Sequence, residues 1–135
     1  MAGANEDIVR LGYKAFGEGD MDTLGSLMVG DVSHVVPGDN RFTGEHKGRD
    51  AVFAYYGAIF EVSGGTFAAE LQSVEEKGDD TVVSSHHATA QRGDQKLDTT
   101  ETLTFTIKDG KIRKLVSSFG NPEDEKAEDA FWGKG

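Results

Sequence analysis

The chain has 135 residues, 36% of them hydrophobic and 28% charged, which suits one domain with a packed core. Its 14 Lys and Arg against 24 Asp and Glu give a net charge of −10, so a footprint on a nucleic-acid backbone is not expected. It has no Cys, which excludes a disulfide scaffold, a thiolate zinc site and a thiol nucleophile.

The acidic start Met1–Asp7 lacks a basic n-region and an apolar h-region, so no signal peptide is expected. No apolar run approaches the roughly 18 residues of a spanning helix. A cytoplasmic protein without a membrane partner is therefore expected. The first 30 residues predict two helices. In the first, Ile8, Leu11, Gly12, Ala15 and Phe16 recur at helical spacing, with Asn5 as its cap. Asp20 caps the second, whose stripe is Met21, Leu24, Leu27 and Met28, ending at Gly30.

Residues 31–36 alternate as a strand, with His34 between Val32 and Val36 on one face. A turn at Pro37–Asn40 and a weak segment, 41–47, lead to a third helix over 49–62. Its Val52, Phe53, Tyr56, Ile59 and Phe60 crowd one side. Four strands then follow, at 66–77, 81–91, 96–108 and 111–119. The Asp109-Gly110 break is the strongest hairpin signal, and short turns make the neighbours antiparallel. Residues 121–135 read as a charged tail ending in Phe131-Trp132, too apolar to dangle and expected to cover a pocket mouth or a partner subunit.

Helices first and a meander afterwards is the α+β pattern. Strands of this length coil, and a coiled sheet with helices across its mouth leaves a conical hollow. Polar residues whose parity puts them on an apolar strand face mark its chemistry. Glu101 shares a face with Leu103, Phe105 and Ile107; a desolvated carboxyl keeps its proton and donates hydrogen bonds. His34 is a candidate base or a core histidine with both nitrogens satisfied. Of His86 and His87 only one can face inward, and His86, beside Val82, Ser84 and Ala88, is the better candidate. His46 reads as a surface residue. No metal-ligand spacing is found, so neither a metal nor a cofactor is expected.

The chain resembles the nuclear transport factor 2-like superfamily, in its SnoaL-like and ketosteroid-isomerase-like branch. The resemblance rests on Tyr13–Asp22, His34–Gly38, Gly44–Val52, Glu101–Phe105 with the Asp-Gly turn, and Ser118–Gly120. It implies a single domain over 1–135, a conical barrel whose strongly curved antiparallel sheet is covered by three helices of the N-terminal half. Against the steroid isomerases, Gly12 stands at the Tyr position and Val36 at the base Asp, while Glu101 stands at the protonated acid. The resemblance thus implies acid/base chemistry without a cofactor (isomerase, cyclase or dehydratase type) on a small hydrophobic carbonyl or hydroxyl compound. His34, Glu101 and His86 would be catalytic, and Tyr13, Tyr56, Phe53, Phe60, Phe105, Phe119 and Trp132 would bind the ligand. The alternative is a non-catalytic binding or dimerisation module. A homodimer is expected in either case, through an outer sheet face bearing Thr100, Thr102, Thr104, Thr106 and Ser117.

Overall fold

The computed structural model describes residues 3–134. Helices α1 (Ala4–Glu18) and α2 (Met21–Ser26) lead into strand β1 (Met28–Val36) and the short β2 (Gly44–Lys47). Helix α3 (Arg49–Val62) precedes strands β3 (Ala68–Glu76), β4 (Thr81–Arg92), β5 (Gln95–Lys108) and β6 (Lys111–Phe119), and helix α4 (Pro122–Trp132) closes the chain. The six strands form one curved, unclosed sheet in the order β2-β1-β6-β5-β4-β3. No helix among the described residues is long and apolar enough to cross a membrane.

Turn chemistry fixes the register of the long strands. Asp109 and Gly110 both have positive φ, 55° and 75°, the conformation a two-residue hairpin of matched twist requires. From that turn Phe105 pairs with Leu115 and Leu103 with Ser117. On the other side of β5, Glu101 pairs with His86 and Leu103 with Ser84. Since side chains alternate, these residues all share the inner face of the sheet. Pairing is antiparallel throughout except where β1 lies parallel to β6, with His34 opposite Leu115.

Several boundaries and faces differ from the sequence expectation. Helix α2 stops at Ser26, and Met28, at 2% exposure, opens β1 instead of finishing a helical stripe. Backbone pairing with Ile112 captures it into the sheet. On α1 Gly12 and Ala15 of the expected stripe are buried and Ile8 and Phe16 pack against the core, but Leu11 is 42% exposed and Val9 is buried in its place. Its N-cap is Gly3, and the Asn5 amide donates to the Asp79 carbonyl instead. Ser117 lies on the inner face, opposite Leu103, and not on the outer threonine face.

The largest correction is α4. The charged tail is a fourth helix, capped by the Asn121 side chain, which accepts from Asp124 N, with Pro122 in its first turn. It buries Glu128, Phe131 and Trp132 against the domain. Its C-terminal end is held from two sides. Arg41 Nε donates to the Trp132 carbonyl at 2.9 Å and Arg92 to the Phe131 carbonyl at 2.8 Å. Asp129 Oδ1 accepts from Asp39 N and from the Asn40 side chain. Gly38 lies under that carboxylate, where a Cβ would stand 2.5 Å from Asp129 Oδ1, and its φ of 94° favours glycine.

Candidate active site

Between the helices and the inner sheet face lies a hollow of about 620 Å³. Its wall is largely apolar, with Val9 and Phe16 from α1, Ile59 from α3, and Leu103, Phe105 and Leu115 from the sheet. Seven polar side chains reach it: Tyr13, His34, Tyr55, Tyr56, His86, Glu101 and Ser117. A smaller hollow of about 300 Å³ lies beside it, lined by Phe42, Phe119, Glu128 and Trp132 among others. The two share Tyr55, Glu101 and Ser117 as a common wall.

Six of the polar groups form two hydrogen-bonded chains. In the first, the Tyr13 hydroxyl stands 2.8 Å from Ser84 Oγ and 2.6 Å from His86 Nδ1. His86 Nε2 stands 3.0 Å from Glu101 Oε1. The Glu101 carboxyl in turn lies in one wall with the Glu128 carboxyl, close enough for each to shift the other's titration. Beyond it, Thr99 Oγ1 donates to Glu128 Oε2 at 2.6 Å and Trp132 Nε1 donates to Oε1 at 2.7 Å. Each member arrives on a different element: Tyr13 on α1, His86 and Ser84 on β4, Glu101 and Thr99 on β5, Glu128 and Trp132 on α4.

Two buried carboxyl groups this close do not both ionise, so one keeps a proton. Burial pushes the Glu128 carboxyl up to about 9, and the neighbouring Glu101 carboxyl adds to the rise. Burial pushes Glu101 up as well. The pair therefore holds a proton at neutral pH. His86 is neutral there, since burial lowers its imidazole to about 4 despite the Glu128 charge. The polarity of the chain can run either way. If Glu101 accepts from His86 Nε2–H, Nδ1 accepts from Tyr13 and Ser84 donates to Tyr13. If Glu101 donates to Nε2, Nδ1–H donates to Tyr13 and Tyr13 donates to Ser84.

The second chain is centred on His34. Its Nδ1 stands 2.9 Å from the Tyr56 hydroxyl and its Nε2 2.7 Å from Ser117 Oγ. Both ring nitrogens are thus engaged, and burial lowers the imidazole to about 3, with His46 and His86 adding to the fall. His34 has no hydrogen bond to Glu101; the imidazole that meets Glu101 is His86.

The remaining residues divide by helix face. Tyr13, Tyr56 and Phe105 line the larger hollow. Phe53 and Phe60, seven residues apart on α3, turn away from it: Phe53 packs over Gly25, and Phe60 stacks with Phe16 at 5.1 Å. Phe119 and Trp132 line the smaller hollow. His87 points outward, paired with Asp98. His46 is half-buried, bonded to the Phe42 carbonyl and stacked on Tyr55 at 4.5 Å, and so is not a free surface residue.

Sequence reasoning missed Glu128, Tyr55, Ser117 and the role of Ser84. The signal for Glu128 was present: Asn121-Pro122 followed by three acidic residues is a helix start, which sets Glu128 and Trp132 four apart on one face. Tyr55 carries no such mark beside Tyr56.

A family model described as a SnoaL-like domain matches residues 9–115. The chain belongs to the SnoaL-like family. An uncharacterized protein of Mycobacterium tuberculosis, Rv0034, is 30% identical over 129 residues, 96% of either chain. Among solved structures, Bal32a from a soil-derived mobile gene cassette is 41% identical, with a TM-score of 0.91 over 98% of each chain. A protein of unknown function with a cystatin-like fold from Xanthomonas campestris is 33% identical, with a TM-score of 0.85 over 94% of this chain and 96% of its own. A nuclear transport factor 2-like protein from Burkholderia xenovorans shares the fold, at 19% identity and a TM-score of 0.74 over 92% and 95% of the two chains. The SnoaL-like fold therefore stands both on the family model and on the architecture.

Proposed function

We propose that this SnoaL-like protein holds a small apolar molecule in its larger hollow and moves a proton on it with Glu101. The observation that carries the reading is the place of Glu101 in the wall of both hollows, beside the buried Glu128 carboxyl and 3.0 Å from the His86 imidazole, with burial raising both carboxyls. A carboxyl of raised pKa exchanges protons efficiently near neutral pH. As carboxylate, Glu101 takes a proton from the carbon beside a carbonyl. The C–H electron pair becomes the enolate double bond and the carbonyl π pair moves to oxygen. Where a further C=C is conjugated with the enolate, returning the proton to the far carbon of that dienolate isomerises the ligand; otherwise it returns to the carbon it left. In this reading Glu128 and His86 set the protonation of Glu101, Tyr13 orients His86, and His34, held by Tyr56 and Ser117, shapes the wall.

The reaction is tested with 1-tetralone in D₂O, by following loss of the proton signal beside the carbonyl. The protein is expected to accelerate exchange over buffer, and Glu101→Gln to lower that acceleration by about 100-fold or more. Binding without exchange would instead make the domain a non-catalytic ligand-binding module.

We also propose self-association through the outer face, where Thr100, Thr102, Thr104 and Thr106 alternate with the inward residues of β5. Size-exclusion mass is expected to be that of a dimer; a monomer at micromolar concentration would contradict it.

A further inference from the structure

Six of the seven polar side chains on the larger hollow already have partners: Tyr13, His86 and Glu101 in one chain, His34, Tyr56 and Ser117 in the other. The seventh, Tyr55, has no hydrogen-bond partner for its hydroxyl among the described residues, although it stands in the wall common to both hollows. Its ring is held on several sides. His46 stacks on it at 4.5 Å, and Phe42, His34 and Tyr56 pack around it at 5.2 to 5.5 Å. His46 is fixed in turn by its bond to the Phe42 carbonyl. A hydroxyl on a ring so held, and left without a protein partner, is free to donate to a ligand oxygen once one arrives.

No Lys or Arg is found among the described residues lining either hollow. The ionisable groups there are the two carboxyls, two neutral imidazoles and the tyrosines. A ligand carboxylate would lose its water and meet only negative charge.

We propose that Tyr55 is the residue that anchors the ligand, and that the ligand is an uncharged molecule with an apolar body and one acceptor oxygen, a carbonyl or hydroxyl. The phenol stays protonated, since burial pushes it well above its ordinary value, so it acts as the donor. This inference rests on the reading of the hollow as a ligand site and not on the proton transfer. It therefore stands or falls by binding alone, whereas that transfer is tested by exchange.

Four two-ring probes of similar shape test it: 1-tetralone, tetralin, tetralin-1-carboxylate and 1-aminotetralin, titrated calorimetrically into the full chain and into Tyr55→Phe. In the unaltered protein, tetralone is expected to bind about five- to tenfold more tightly than tetralin, the net gain of one good hydrogen bond. The carboxylate and the amine are expected to bind more weakly than tetralone. Tyr55→Phe should abolish the preference for tetralone while leaving tetralin within about twofold, in line with loss of one hydroxyl. Five results would overturn the assignment: tetralone failing to bind the unaltered protein, its preference surviving in Tyr55→Phe, loss of both neutral probes alike in that variant, the carboxylate matching tetralone, or the amine exceeding it.

Discussion

The carboxyl groups of Glu101, in the middle of a strand, and Glu128, on the last helix, meet in one wall inside the domain, and each shifts the titration of the other. Neither would be tolerated there as a lone charge. Their pairing makes α4 part of the site, because the helix brings both the second carboxyl and the Trp132 donor that supports it.

A first consequence is a decline in stability above neutral pH. Glu128 binds its proton more tightly folded than unfolded, so its contribution is complete below the ordinary value of 4.5 and is lost as pH rises toward about 9. His34 and His86 act in the opposite sense. Folded, they titrate near 3 and 4, so their contribution is complete above 6.5 and is lost on acidification toward those values. Maximal stability is expected near pH 6 to 7, with a fall of up to ~1.4 kcal/mol per pH unit beyond it. Denaturant titrations between pH 5 and 9 check this, and Glu128→Gln should flatten the alkaline side.

Removing the indole donor should disturb the carboxyl pair. Trp132→Phe keeps the ring packing on Phe42 and Phe131 but withdraws the bond to Glu128 Oε1. A loss of about 1–3 kcal/mol is expected by urea unfolding, because a buried carboxyl acceptor loses a partner. A still higher titration of the pair should accompany it.

His34 offers a separate check on the second chain. Tyr56→Phe and Ser117→Ala each leave one imidazole nitrogen without its partner, at a cost of about 1–3 kcal/mol apiece. Since both bonds depend on the orientation of one ring, the double variant should cost less than the sum. Strict additivity in a double-mutant cycle would mean that the two bonds do not share that ring.

The face of α1 is checked by a pair of substitutions. Leu11→Lys should change stability by no more than about 0.5 kcal/mol, the usual effect at an exposed site, whereas Val9→Ala should cost about 1–3 kcal/mol. Thermal denaturation of both distinguishes the observed burial of Val9 in place of Leu11 from the stripe suggested by spacing alone.

Much of this architecture is legible from local patterns. The Asp109-Gly110 turn, the helix over 49–62 and strand alternation suffice to put Glu101 and His86 on one inner face, where register makes them neighbours. What local patterns miss depends on distant contacts. A run such as Glu123–Asp129 reads as solvated because five of its seven residues are acidic, and only docking on the sheet turns Glu128 inward toward Thr99. On α1 tertiary packing buries Val9 and leaves Leu11 outside, a choice that the spacing of its apolar residues does not make. Tyr55 and Tyr56 are indistinguishable in sequence, yet Tyr56 completes the His34 chain and the Tyr55 hydroxyl has no hydrogen-bond partner among the described residues.

The most direct measurement is a ¹³C NMR titration of the glutamate side-chain carboxyls, with Glu101 and Glu128 assigned through their Gln variants. One carboxyl of the pair should titrate far above the ordinary range, near pH 9, and Glu128→Gln should remove that transition without lowering Glu101, which burial holds up and the Glu128 contact holds down. Two independent transitions near pH 4 to 5 would contradict the retained proton and the chemistry built on it.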